Sequence, residues 1–125
     1  MNVKTLKAKG ESDYDYLEDI LFFKIKNREY DRSFEFDNFV IDIDKEDFVV
    51  GIQIFDASEY LRVNKTILRD IKKWKFCSLV HENKIEIRLF FEVVLRNKVI
   101  EKEPIITRSW ENRELPTSKA ICVTV

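Results

Sequence analysis

Apolar and polar side chains alternate along most of this chain with the two-residue period of β-strands that bury one face. Between Phe39 and Asp44, the side chains of Phe39, Ile41 and Ile43 share one face and those of Val40, Asp42 and Asp44 the other. From Phe48 to Phe55 both faces are largely apolar, which predicts a strand covered on both sides. Lys45, Glu46 and Asp47 connect the two runs, a link short enough to make them antiparallel neighbours. Upstream, residues 3–8 predict a marginal edge strand, 14–16 a short strand, 20–26 a stronger one and 34–37 another. Turns fall at Leu17-Glu18 and Asp37-Asn38, with a loop over 27–31. The first half therefore reads as a meander of four to five antiparallel strands.

The period changes after Phe55. Residues 56–61 predict a helical turn capped by Asp56 or Ser58, and Asn64 reads as the N-cap of one helix over 65–75. In that helix Ile67, Leu68, Ile71 and Trp74 form a single apolar stripe. Alternation then resumes in 76–82 and 85–95, joined by Asn83-Lys84. The second of these strands carries Ile85, Ile87, Leu89, Phe91, Val93 and Leu95 on one face without a gap. At about 3.4 Å per residue it spans roughly 37 Å, long for a strand, so it must bend or reach beyond the body to pair with another chain. Arg96-Asn97-Lys98 turns into 99–103, Pro104 interrupts, 105–108 resumes, 111–118 is a polar loop and 120–125 a closing strand. The fold class is α+β: mainly antiparallel β, a strongly bent sheet or partly open barrel with one amphipathic helix packed on it. Residues 1–125 read as a single domain.

The segments YDYLEDILFFKI (Tyr14 to Ile25) and VIDIDKEDFVVGIQIFDAS (Val40 to Ser58) resemble the YuzE-like family of small bacterial and archaeal domains of unknown function. That family shows tyrosine-aspartate, a turn and an aspartate leading a strand, then a D-x-D hairpin and a V-G-I-E-I run ending in D-A-S. The likeness covers the first half of the chain. Asp47 and Phe48 stand where the family usually has a hairpin glycine, and Gln53 replaces the glutamate. The resemblance implies a fold but no catalytic residue, and by analogy it admits an antitoxin-like regulatory role.

Composition narrows the function classes. At 125 residues, with 45% apolar side chains and 10 phenylalanines, the chain can bury a core without staples and is not disordered. Cys77 and Cys122 lie in apolar runs, which predicts reduced thiols and a cytoplasmic location. The start of the chain lacks the apolar block of a secretory signal, and no apolar run approaches the roughly 20 residues of a membrane span. Net charge is only -1. Yet residues 11–59 carry 15 acids against 5 bases, whereas residues 60–100 carry 10 bases against 4 acids. Such a split predicts either complementary halves facing each other, within one fold or between subunits, or an acidic or nucleic-acid ligand on the basic part.

Recognisable catalytic constellations are missing from the sequence. His81 has no Cys/His company for zinc and no nucleophile motif beside it. Two glycines, Gly10 and Gly51, cannot form a phosphate-cradling loop. Asp42, Asp44 and Asp47 resemble the start of a calcium loop without its bending glycine or closing glutamate, and Asp13, Asp15 and Asp19 join them if the first strand lies alongside. No cofactor is expected. The expected function is a non-enzymatic, self-associating or partner-binding module, a homodimer pairing through strands of the second half. The alternative is nucleic-acid binding by the basic helix face of Lys65, Arg69, Lys72 and Lys73, with Trp74 as a stacking ring.

Overall fold

The computed structural model describes residues 4–71, 73–81, 84–109 and 118–123, the last stretch as backbone. Among the described residues are ten strands, β1 (Lys4–Asp15), β2 (Ile20–Ile25), β3 (Arg32–Glu35), β4 (Phe39–Ile43), β5 (Val49–Ile54), β6 (Lys73–His81), β7 (Lys84–Leu95), β8 (Lys98–Lys102), β9 (Ile105–Ser109) and β10 (Ser118–Val123). Two five-residue helices, α1 (Ala57–Leu61) and α2 (Lys65–Arg69), stand between β5 and β6. No described helix is long and apolar enough to cross a membrane.

The strands follow the order β3-β4-β5-β2-β1-β10-β6-β7-β8, with β9 beside β8 on the same flank of β7. Pro104 separates β8 from β9, because a residue without an N–H cannot continue the ladder. β1 is the joint of the fold. Its first half, Lys4 to Lys9, pairs with β10 in parallel, and its second half, Gly10 to Asp15, pairs with β2 antiparallel. From β2 to β6 the path takes three steps, roughly 14 Å in a flat sheet at about 4.8 Å per strand. Phe23 of β2 nevertheless lies 4.7 Å from Trp74 of β6, ring centre to ring centre, and 6.5 Å from Phe76. The sheet is therefore folded over on itself at β1. The inward residues of both layers, among them Leu21, Phe23, Ile41, Ile52, Phe76, Leu89 and Phe91, join in one buried cluster.

Several expectations are corrected. The sheet is strongly bent but does not close into a barrel, since the path ends at β3 on one side and β8 on the other. The helix expected over 65–75 stops at Arg69, and Lys73, Trp74 and Lys75 belong to β6. Trp74 fits a helical stripe by spacing, but it also fits the strand series Trp74, Phe76, Ser78 and Val80, all buried, and the core takes it there. The two short strands expected over 3–8 and 14–16 are one continuous β1. The meander holds for β3, β4 and β5, whereas β2 pairs with β5 and β1. The Asn83 end of the expected turn and the polar loop at 111–117 lie outside the described residues.

Gly51 marks a close approach between strands. A Cβ there would stand 3.1 Å from Asp42 Oδ2 and 3.3 Å from the Phe23 carbonyl oxygen. The carboxylate can swing away, but the carbonyl is held in the β2–β5 ladder. Gly51→Ala is expected to destabilise the fold by about 1–2 kcal/mol, as overpacking does. Urea unfolding at fixed m-value checks this, and an unchanged midpoint would show that the β2–β5 spacing is looser than drawn.

Candidate functional site

Two buried carboxylates organise the polar chemistry of the first half. The first is Asp19, at the turn between β1 and β2, with a left-handed backbone (φ 57) that aspartate tolerates better than most residues. Its carboxylate accepts the Tyr14 hydroxyl at 2.5 Å, the Ser58 hydroxyl at 2.7 Å and the Ser58 N–H at 3.1 Å. Its carbonyl oxygen also accepts the Ala57 N–H at 3.0 Å. Asp19 thus caps α1 from 39 positions upstream. Asp56, the sequential N-cap, makes no side-chain cap bond. Burial alone would push the Asp19 carboxyl up, but the hydrogen bonds from Tyr14 and Ser58, helped by the nearby Lys65 charge, hold it below the usual carboxylate range. Tyr14 shifts the opposite way: burial raises it, and its bond to Asp19 adds to the rise.

The second centre is Asp44. Its carboxylate accepts the Glu46 and Phe48 N–H groups, each at 3.0 Å, and the Arg28 guanidinium at 2.5 Å. This is an Asx-type turn, closed by the Asp44 N–H to Phe48 carbonyl bond at 3.0 Å. Arg28 also lies 5.6 Å from the Phe48 ring centre, and Arg32 pairs with Asp47. The calcium-like spacing of Asp42, Asp44 and Asp47 is thereby resolved into separate contacts: Asp42 accepts from Ser33, Asp44 from Arg28 and Asp47 from Arg32. Asp15 accepts the Glu18 N–H and Asp13 is exposed, so the six acids are spread over several sites. Among the described residues no three His, Cys, Asp or Glu side chains are placed to share an ion.

The basic residues singled out by sequence do not form one stripe. Lys65 and Arg69, one turn apart on α2, both sit 5.3 Å from the Tyr16 ring centre. Lys73 starts β6 opposite Glu92 of β7, and Lys72 lies outside the described residues. Trp74 is buried against Phe23 and offers no stacking surface. His81 is exposed at the end of β6. Cys77 is a free, half-buried thiol, whereas the side chain of Cys122 lies outside the described residues. A shallow dip of about 470 Å³ beside α2 is lined by Tyr16, Ser58, Glu59, Arg62, Asn64 and Lys65 among others. A cleft of about 430 Å³ on the outer face of β6 and β7 is lined by Lys75, Cys77, Leu79, Glu86, Arg88 and Phe90.

A third feature lies at the far end of β7. The inward series Ile85, Ile87, Leu89, Phe91 and Val93 is at most 1% exposed, but Leu95, next in the same register, is 42% exposed. β7 therefore overshoots the core. On the opposite face of the same hairpin, Val94 and Val99 stand directly across from each other, 53% and 63% exposed. Arg96 and Asn97, both with positive φ, make the two-residue turn. Exposed apolar side chains thus stand on both faces of the tip, beside Arg96 and Lys98.

Tyr14, Arg28 and Arg32 were not among the candidates the sequence offered. Ser58 was offered as a cap of its own helical turn and in the D-A-S ending of the resemblance, not as a donor to Asp19. Nothing local signals that Arg28, before β3, and Arg32, at its start, neutralise acids after β4.

Comparison with known proteins adds a family. The pattern of a protein of unknown function (DUF2283) matches residues 12–58, a stretch that includes Tyr14, Asp19, Asp44 and Ser58. A protein of Methanosarcina mazei provisionally named a hypoxanthine phosphoribosyltransferase is 34% identical over 90 residues, 72% of this chain and 73% of that protein. An uncharacterised protein of Methanocaldococcus jannaschii is 28% identical over 99 residues, 78% of this chain and 85% of that one. No solved structure matches the chain significantly. With a third of the aligned residues identical over most of both chains, this protein belongs to the same family as the Methanosarcina protein and carries the DUF2283 domain at residues 12–58.

Proposed function

We propose that this protein is a non-enzymatic module, a single domain over residues 1–125, that associates with a second copy through the β7–β8 hairpin. The observation that carries this reading is the jump from a sealed inward series to an exposed Leu95, with Val94 and Val99 exposed on the other face. Apolar side chains bare on both faces of the tip gain by being covered. The free Cys77 thiol suits a reducing, cytoplasmic setting. The YuzE-like resemblance carries no activity to set against this reading. The name of the Methanosarcina relative gives little support for an enzyme here. Phosphoribosyl transfer handles phosphates, which proteins usually hold in glycine-rich turns, and both glycines of this chain are buried inside strands.

Sedimentation velocity from 1 to 100 µM tests the proposal. Association is expected to appear at about tens of micromolar, and Val94→Lys with Val99→Lys is expected to weaken it at least tenfold, roughly 1.4 kcal/mol. Both side chains are solvated, so the thermal midpoint should hold. A wild-type chain that stays monomeric throughout would sink the idea.

Nucleic-acid binding stands second, favoured by the paired cations Lys65 and Arg69 around the exposed Tyr16. A low-salt gel shift unchanged by reversing those two charges would dismiss it.

A further inference from the structure

We infer that the surface receiving the hairpin is the opposite end of the sheet in a second copy, so that β8 of one molecule adds to β3 of the next, head to tail. This rests on the self-association proposed above and supplies its symmetry. β3 and β8 are the two ends of the strand path among the described residues. Their charges differ. Around β3 the exposed side chains include Asp31, Glu35 and Asp37, while Arg32 is engaged with Asp31 and Asp47 of its own chain. Along β8 and its turn stand Arg96, Lys98 and Lys102, with Glu101 the one acid within the strand.

The hydrogen-bond alternation of each edge decides which pairings are open to it. In a two-residue hairpin Leu95 and Lys98 form the hydrogen-bonded pair, so the backbone groups of Val99 and Glu101 face the free side. On β3, the Phe36 N–H to Phe39 carbonyl bond at 2.8 Å sets the phase: Phe34 and Arg32 face β4, and Ser33 and Glu35 face outward. Pairing either edge with its own copy about a two-fold axis then opposes like charges. For β8, full overlap sets Lys98 against Lys102, and a shift one way sets Glu101 against itself, while a shift the other way shortens the ladder. For β3, an axis through Glu35 sets that acid against itself, and an axis through Phe34 brings the acids that flank the strand, Asp31 and Asp37, towards each other. Like charges directly opposite destabilise a sheet.

Pairing β8 with β3 avoids this when the strands run parallel. Antiparallel registers of that pair oppose Glu101 to Asp31 or Lys102 to Arg32. A parallel register sets Val99 against Phe34 and Lys102 against Asp37, and it places no like charges opposite. The chain already uses a parallel pairing between β1 and β10. Val99 lies on the outer face of its layer, whereas Phe34, opposite the buried Ile41, lies on the inner face of its own. The two bodies therefore sit on opposite sides of the joint sheet and do not collide. The lysines of β8 guard it against its own kind while leaving it open to an acidic edge. Such a heterologous contact does not close at two copies and continues into rings or filaments.

Disulfide trapping separates the alternatives. In a Cys77→Ser, Cys122→Ser background, Asp37→Cys and Lys102→Cys molecules are prepared separately. Under mild oxidation their mixture is expected to cross-link at least tenfold faster than either alone, and the native protein is expected to grow past the dimer in sedimentation. Lys102→Cys linking to itself as fast as to the mixture would mean a two-fold dimer, which overturns this inference and leaves self-association standing. Association without cross-linking in any arm would also overturn it. A strictly monomeric protein would remove both. In the native-cysteine chain, which avoids any folding cost of the serines, Lys98→Glu with Lys102→Glu should abolish growth, and mixing with Glu35→Lys and Asp37→Lys molecules should restore pairing. Failure of that rescue counts against the head-to-tail contact.

Discussion

Replacing Phe23 by alanine is expected to cost about 4 kcal/mol, the middle of the range for a buried aromatic ring. Phe23 is 1% exposed and touches Trp74 and Phe76 of the facing layer. It is therefore the point where the folded-over sheet meets itself. The layers cannot collapse into the space it leaves, because β2 is held in ladders on both sides and β6 is fixed between β10 and β7. Differential scanning calorimetry should show the midpoint falling by on the order of 15 °C. The neighbouring Phe22 has its side chain on the other face and is only half-buried, so Phe22→Ala should cost about 1–2 kcal/mol. Equal losses at the two positions would mean that the inward and outward faces of β2 are wrongly assigned.

Alternation made the layers legible, and its limits explain what was not. In β4 and β7 the period of two names the inward residues one by one, because each strand buries one face and wets the other. At Trp74 the same apolar positions satisfy a helical stripe and a strand face. Only the aromatic contact across the fold decides between them. The parallel β1–β10 pairing joins residues more than a hundred positions apart and leaves no local trace. The acids drew attention as a set because they are close in sequence. Their partners decide their role, and Arg28, Arg32 and Ser58 come from the β2–β3 loop, the start of β3 and α1. The overshoot of β7 was foreseeable from strand length, and its exposure is visible only once the core has an end.

Asp19→Ala is the second large expected effect, a loss of about 3 kcal/mol. The substitution strands the Tyr14 hydroxyl and the Ser58 N–H and hydroxyl in a partly buried site, each left without the acceptor it has now. It also places alanine at a left-handed backbone that aspartate and asparagine tolerate better. Asp19→Asn isolates the charge: it keeps the backbone preference and one acceptor oxygen but cannot ionise. The sign of the pH dependence follows from the depressed carboxyl. A folded-state value below the unfolded one means that the stabilisation is complete above roughly pH 4 and is lost as pH falls through the folded value. Urea midpoints for the native chain should drop across that window, and those for Asp19→Asn should drop less. The difference between the two proteins should vanish at the acid end. If both lose stability in parallel from pH 5 downward, the Tyr14–Asp19–Ser58 contacts are not what ties α1 to the β1–β2 turn, and the cap on α1 must be sought in Asp56.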